Sequence, residues 1–307
     1  MTIAVRDRIG PAETRAVLRL ADAATAGDGV PPLSEQVALQ VRDGGDDGAR
    51  NLLIWQGGEL AGFAHLDAPA GPAGSRSGEL VVHPAHRGQG LGRALVGAVT
   101  AEAGRAPVRL WAHGDLPAAA ALAASTGLTR TRALWRMSRS LRVPLAGARL
   151  PPGILVRTFV PGRDEPEWVA LNARAFASHP EQGRWTRADI DRREREPWFD
   201  PAGFFLAERG GSLVGFHWTK IHPMGPGPGR AEGRGPVGEV YVIGVDPAEQ
   251  GSGLGRALTL LGLHYLRDRG LDEVMLYVEE SNTAAIGLYE SLGFARAAAD
   301  VMYGRGA

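Results

Sequence analysis

"EQGSGLGRAL", residues 249–258, sets glycine at 251, 253 and 255 and then runs straight into helix-forming residues. Nearly the same text, "HRGQGLGRAL", stands at residues 86–95. A tight turn needs one glycine; three at alternate positions, in two places, leave a whole stretch of backbone bare. The flanks repeat as well. Val82-His83-Pro84 precedes the first segment as Val245-Asp246-Pro247 precedes the second, at the same distance. Each is followed by an amphipathic stretch, a short apolar run ("VRLWAH", 108–113; "EVMLYVEE", 273–280) and an alanine-rich helix ending at a glycine ("AAALAASTGL", 119–128; "AAIGLYESLGF", 284–294). One unit of roughly 150 residues is used twice. The prolines and glycine of "LRVPLAGARLPP", residues 141–152, interrupt both periodicities and mark the link. The expected division is an N-terminal unit, 1–140, and a C-terminal unit, 153–307.

The bulk numbers agree with two units. The 307 residues suit two ordinary domains, and a hydrophobic content of 44% suffices for two cores. Lys+Arg and Asp+Glu each number 34, so the formal charge is zero, and the pI is about 7.1. That balance leaves no global footprint for nucleic acid or an anionic membrane, and neither is expected as a partner. With no cysteine there is no disulfide, thiolate metal site or cysteine nucleophile, and no metal is expected. No apolar run approaches the roughly 18 residues of a membrane span. Arg6, Asp7 and Arg8 stand where a signal peptide needs its apolar segment. A soluble, cytoplasmic monomer is expected.

In the second copy "PVGEVYVIGV", 236–245, has the β-branched, apolar composition of a strand. Leu254, Leu258, Leu261 and Tyr265 recur at helical spacing, and Gly270 is a natural stop. "DEVMLYVEE" reads as another strand, Ser281 or Asn282 can cap the next helix, and Gly293 ends it. Upstream, "AGFFLAERGGSLVGFHWTKIH", 202–222, reads as a hairpin turning at Gly210-Gly211. "HPMGPGPGRAEGRGP", 222–236, reads as a flexible loop before the key strand. Each unit is then helices first, an antiparallel set of strands, and strand–helix–strand. The fold class is α/β (α+β): two tandem units, each a mixed, mostly antiparallel sheet flanked by helices.

A helix N-terminus exposes unpaired N–H groups and a partial positive charge, so it attracts phosphate. Gly251, Gly253 and Gly255, followed by Arg256, suit a pyrophosphate. The plain alternative is a turn that merely starts a helix, which leaves the repeated context unexplained. A P-loop needs Gly-Lys-Ser/Thr, absent from both copies. A dinucleotide fold needs G-x-G-x-x-G straight after its strand, whereas here the spacing is G-x-G-x-G and Asp246 to Gln250 intervene.

A strand ending in Val-x-x-Pro, then Q/R-x-x-G-x-G/A, helix, strand, Asn-capped helix and "LYxxLGF" resembles the GCN5-related N-acetyltransferase superfamily. The resemblance is specific over about 50 residues of the second copy and weaker at the end of the first. It implies that acetyl-CoA is the co-substrate. Its pyrophosphate loops match Arg87, Gly88, Gln89, Gly90, Leu91, Gly92 and Arg93, and Gln250, Gly251, Ser252, Gly253, Leu254, Gly255 and Arg256. Leu80, Val81 and Val82, and Ile243, Gly244 and Val245, match the strand segments that pair with the pantetheine arm. Asn282, Thr283, Ala284, Ala285, Ile286 and Gly287 match the CoA-contacting helix start.

Acyl transfer from a thioester to an amine needs a neutral amine, a stabilised oxyanion and a group to meet the departing thiolate. Backbone N–H groups near a strand bulge can supply the second. The resemblance implies Tyr289, in "GLYESLGF", as general acid and Glu239, at the start of the key strand, as base. Aligning the terminal glycines places Ala123 at the position of Tyr289, and counting from the loops places Arg76 opposite Glu239. This implies a catalytic C-terminal unit and an N-terminal unit that binds acetyl-CoA but is chemically silent. By default a tyrosine on an amphipathic helix is core and a glutamate at a strand start is solvated; the motif context is what lifts both. With reference pKa values of about 10 for tyrosine and 8.5 for a thiol, full proton transfer is uphill by roughly 2 kcal/mol. Tyr289 is therefore either strongly perturbed or mainly a hydrogen-bond donor. An α-amine, at about 15% neutral at pH 7, sets Glu239 a lighter task than a lysine amine would.

Tandem copies with a degenerate first and an intact second, together with "PPLSEQ" (31–36), "AFASHPEQG" (175–183), "FHWTKIH" (216–222) and "GEVYVIGVDP" (238–247), are similar to the mycothiol synthase family over essentially the whole length. This implies the thiol pseudodisaccharide cysteinyl-glucosaminyl-inositol as acceptor, contacted by Glu35, Glu181, Lys220, Glu239 and Tyr277. Taken singly, each of these is by default a solvated surface group. The rival expectations are a tandem acetyltransferase for another amine, such as an aminoglycoside or a protein N-terminus, and a non-enzymatic acetyl-CoA sensor. The sensor requires neither Glu239 nor Tyr289.

Overall fold

The computed structural model describes residues 2–45, 47–69, 74–177, 180–223 and 235–305, so most of the expected 222–236 loop lies outside the described residues. In the N-terminal half, β1 (Ile3–Arg6) leads to α1 (Pro11–Asp28), α2 (Glu35–Arg42), β2 (Arg50–Gln56), β3 (Glu59–Leu66) and β4 (Arg76–Val82). There follow α3 (Leu91–Ala103), β5 (Val108–Ala112), α4 (Pro117–Ser125) and β6 (Thr129–Ser140). No helix or strand lies between Ser140 and Ile154. The C-terminal half repeats the order: β7 (Ile154–Thr158), α5 (Glu165–Ala175), α6 (Pro180–Gly183), α7 (Arg187–Glu194), β8 (Phe204–Arg209), β9 (Ser212–His222) and β10 (Val237–Val245). It closes with α8 (Leu254–Asp268), β11 (Glu273–Glu279), α9 (Thr283–Ser291) and β12 (Ala295–Gly304). Each half opens on a short strand, β1 or β7, where helices first were expected.

Local chemistry sets the boundaries. Gly210 and Gly211, at φ 59° and 84°, make the left-handed turn between β8 and β9. Asn282, rather than Ser281, caps α9, accepting from the Ala285 amide at 3.1 Å. Ser34 caps α2 by accepting from the Val37 amide at 3.3 Å.

All strands join one sheet in the order β1-β2-β3-β4-β5-β12-β6-β11-β10-β9-β8-β7. β4 with β5 and β10 with β11 are parallel pairs; the others are antiparallel. The centre of the order was not legible in the sequence. β5 pairs with β12 and β11 pairs with β6, so each half's last strand completes the other half's sheet. Counted from Gly127 and Gly293, Leu134 and Asp300 are equivalent residues, and they face each other across the β6–β12 pair. The pseudo-two-fold axis passes between them, and the halves are joined through continuous backbone hydrogen bonds.

Helices cover both faces. Leu91, Leu95 and Val99 of α3 pack on β2 and β3, and Leu260, Leu263 and Leu266 of α8 form the corresponding core of the other half. On the opposite face of the C-terminal half, Trp168 of α5 meets Phe204, Phe216 and Trp218 in edge-on contacts. Gly262 lets α8 lie against the buried ring of His217; a Cβ there would come within 2.1 Å of the ring. Among the described residues no helix is long and apolar enough to cross a membrane.

Candidate active site

Two clefts open where the parallel pairs part. β10 pairs with β11 only over Gly238–Val240, and β4 with β5 only over Arg76–Glu79. Beyond those points Ile243, Gly244 and Val245, like Leu80, Val81 and Val82, keep antiparallel partners on one side only. Their remaining backbone groups face the cleft and need partners there. At each mouth the glycine loop turns into a helix, with Gly251 and Gly253 at φ 79° and 87° and Gly88 and Gly90 at 76° and 81°. These left-handed positions favour glycine, and the amides they leave at the starts of α3 and α8 are the orphan donors of helix N-termini. The first cleft is a cavity of about 680 Å³, lined by Leu80, Val81 and Val82 and by the 87–93 loop except Gln89. In the second, Gln250 follows a short 3-10 turn, Ser252 Oγ accepts from the Leu254 amide at 3.3 Å, and Arg256 donates to Ser291 Oγ at 2.8 Å, tying α8 to α9. Thr283, Ala284, Ala285, Ile286 and Gly287 make the first turns of α9.

Polar groups converge beside the second cleft. Glu239 is buried on β10, directly opposite Lys220 of β9. Lys220 does not pair with it. Lys220 instead donates to Glu35, which reaches across from the first turn of α2 in the other half, and its ammonium sits 4.2 Å from the Trp198 ring centre. Tyr241 donates to the other Glu35 oxygen at 2.6 Å and accepts from Arg193 at 2.7 Å, while Arg193 also holds Gln36 at 2.8 Å. Burial works to raise the Glu35 carboxyl, but Lys220, Tyr241 and Arg193 outweigh it and hold it below the usual carboxylate value. Glu239 accepts from His222 Nε2 at 2.6 Å. Burial, then the charges of Asp300 and Glu239, push the Tyr277 hydroxyl far up, so Tyr277 is a neutral phenol near Glu239. Glu181 lies in α6, but its side chain is outside the described residues.

Tyr289 is buried on α9 with its ring edge-on to Phe294, and burial pushes its hydroxyl up to about 12. Ala123 occupies the matching place in α4. Opposite Glu239, however, the equivalence with Arg76 fails. β10 carries a bulge between Val240 and Val242 that β4 lacks, so Tyr241 is an extra residue and Ser77 takes the place of Glu239 in the register. Arg76 is a buried strut that donates to the carbonyls of Asp67 and Gly48 at 2.7 and 2.9 Å.

The first cleft holds a cluster that sequence reading missed. His113, on its wall, lies between Asp300 of β12 (Nδ1 to Oδ2, 3.0 Å) and Glu79 of β4 (Nε2 to Oε1, 3.4 Å). Burial opposes a charged ring, but Glu79 and Asp300 prevail and raise His113 to about 10. A ring held as imidazolium throughout the neutral range cannot take a proton, and Glu79 is committed to the Ser34 amide at 2.7 Å. This cluster ties β12 and α2 to β4. Period-two spacing could have shown that His222 shares a strand face with Lys220; nothing in the sequence pointed to Arg193. Glu59, His83 and His86 also converge near the first loop. His83 Nδ1 there accepts from the Ala85 amide at 3.2 Å, as Asp246 accepts from Ala248, which leaves its ring proton on the nitrogen facing Glu59.

Known proteins share this fold. The pattern described as acetyltransferase (GNAT) family matches residues 168–294, and that described as acetyltransferase (GNAT) domain matches residues 47–126. A tandem GNAT protein from the clavulanic acid biosynthesis pathway superposes with a TM-score of 0.71 at 20% identity, covering 100% of this chain and 99% of its own. A GCN5-related N-acetyltransferase from Sphaerobacter thermophilus gives 0.66 at 27% identity, over 98% and 94%. A parting parallel strand pair and a glycine loop on each of two such units define an acetyl-CoA-dependent N-acetyltransferase. The chain belongs to the mycothiol acetyltransferase family. It is 63% identical to the mycothiol acetyltransferase of Thermobispora bispora over 99% of this chain and 100% of that protein. It is 58% identical to that of Thermomonospora curvata, over 94% and 92%.

Proposed function

We propose that the chain transfers acetyl from acetyl-CoA to the cysteinyl amine of 1D-myo-inositol 2-(L-cysteinylamino)-2-deoxy-alpha-D-glucopyranoside, the last step of mycothiol biosynthesis, in the cytoplasm. The unit of residues 153–307 carries out the reaction, and the unit of residues 1–140 binds acetyl-CoA without turning it over. The observation that carries this reading is the asymmetry of the clefts. Among the described residues only the second joins a bulged strand, a buried carboxylate and a buried tyrosine; the buried Glu79 of the first lies on an unbulged strand and is held by the Ser34 amide.

Acetyl-CoA lies with its pyrophosphate on the amides of Gly251 to Gly255 and its pantetheine arm along Ile243 to Val245. Glu239 takes the proton of the cysteinyl ammonium, directly or through water. The nitrogen attacks the thioester carbonyl, and N–H groups freed at the Tyr241 bulge stabilise the oxyanion. As the C–S bond breaks, the nitrogen loses its second proton to solvent water and Tyr289 meets the thiolate. Its hydroxyl at about 12, against about 8.5 for a thiol, makes full transfer uphill by roughly 5 kcal/mol. Tyr289 therefore acts as a hydrogen-bond donor. Glu35, Glu181, Lys220 and Tyr277 hold the sugar and inositol hydroxyls, which gives the silent unit a part in acceptor binding through Glu35.

Assaying the purified protein with acetyl-CoA and a panel of amines tests this. Preference for cysteinyl-glucosaminyl-inositol is expected, and preference for an aminoglycoside or a peptide N-terminus would overturn the acceptor assignment.

A further inference from the structure

β9 presents two basic side chains to Glu239. Lys220 lies directly across the β9–β10 pair, and His222, two residues on and opposite Val237, lies on the same face at the diagonal position. The nearer is not the one that binds. Lys220 is drawn to Glu35 of the other half, and His222 Nε2 holds Glu239 Oε2 at 2.6 Å. Among the described residues Glu239 Oε1 has no hydrogen bond, so one carboxylate oxygen is fixed and the other is open. An ammonium paired with a base stabilises its charged form and lowers its appetite for a proton, whereas an imidazole N–H can orient a carboxylate without a permanent full charge.

We infer that His222 is a positioning residue for the transfer: its Nε2–H fixes Glu239 so that the free oxygen meets the incoming amine, while Glu35 keeps Lys220 from neutralising the base. The inference rests on Glu239 being the base. No bond to substrate is assigned to His222. Its share of the rate passes through Glu239.

The test is a double-mutant cycle on the full-length enzyme with acetyl-CoA and cysteinyl-glucosaminyl-inositol. His222→Ala should lower kcat about tenfold and leave the KM for acetyl-CoA within about twofold, as expected for a proton-transfer defect. His222→Gln, whose amide N–H reaches about as far, should keep kcat within about threefold of wild type and also serves as the folding control. In a Glu239→Gln background, His222→Ala should cost less than about twofold more. A full tenfold loss in that background, a His222→Gln variant as slow as His222→Ala, or an effect confined to the acceptor KM would each overturn the inference. Full activity in Glu239→Gln alone would instead remove the base assignment.

Discussion

At the scale of single residues, the chemistry is a matter of which groups are free. Glu35, Lys220, Tyr241 and Arg193 satisfy one another, whereas, among the described residues, Glu239 keeps one oxygen open and the Tyr289 hydroxyl has no hydrogen bond. Tyr289→Phe should lower kcat by about 10- to 100-fold with little change in the KM for acetyl-CoA, because the hydroxyl acts as the thiolate forms rather than in binding. Glu239→Ala should be most damaging at low pH, where free amine is scarce, and a loss of kcat/KM that does not vary with pH would remove its role as base. The places of Glu239 on its strand and Tyr289 on its helix were legible in the sequence from the motifs around them, although the repeat gave Glu239 the wrong counterpart. His222, Arg193 and the His113 cluster were not, since their partners lie 17 or more positions away and come together only through strand pairing.

Elements decide where those groups point. The hairpin at Gly210-Gly211, the cap at Asn282 and the two glycine loops follow from local residue chemistry, so the sequence shows them directly. The bulge at Tyr241 does not: it is a difference between two strands of similar composition, and it moves the counterpart of Glu239 in the first half from Arg76 to Ser77. The short strands β1 and β7 were overlooked because "IAVR" and "ILVRT" are too brief to show a period. The seat of α8 on β9 depends on Gly262, where a methyl would stand 2.1 Å from the fully buried His217 ring. Gly262→Ala should destabilise the fold by about 2–3 kcal/mol through overpacking, read as a lower midpoint in denaturant titration.

The whole molecule is held by its exchanged strands, and His217 and His113 contribute with opposite sign to how it responds to pH. Burial lowers His217 from 6.5 to about 4, so between those values the unfolded chain takes up a proton that the folded one refuses. The contribution of His217 should fall there as pH drops, by up to about 1.4 kcal/mol per pH unit. His113 is raised from 6.5 to about 10, so its contribution is complete below 6.5 and is lost as pH climbs to about 10. His113→Asn, which cuts the tie between β12 and the first cleft, should therefore flatten the loss of melting temperature between pH 6.5 and about 10, read by thermal melts. Duplication was plain from the sequence, but the exchange of β6 and β12 was not, because a strand's composition does not say which neighbour it will take.

The central claim is that acetyl leaves CoA in the second cleft. Gly253→Asp tests it most directly: it forces a side chain onto a backbone at φ 87° and sets a carboxylate in the proposed pyrophosphate site. The measurement is steady-state acetyl transfer to cysteinyl-glucosaminyl-inositol by this variant, with folding checked by circular dichroism. A fall in kcat/KM for acetyl-CoA of at least about 100-fold is predicted. Transfer at the wild-type rate would place the reaction in the first cleft and contradict the account.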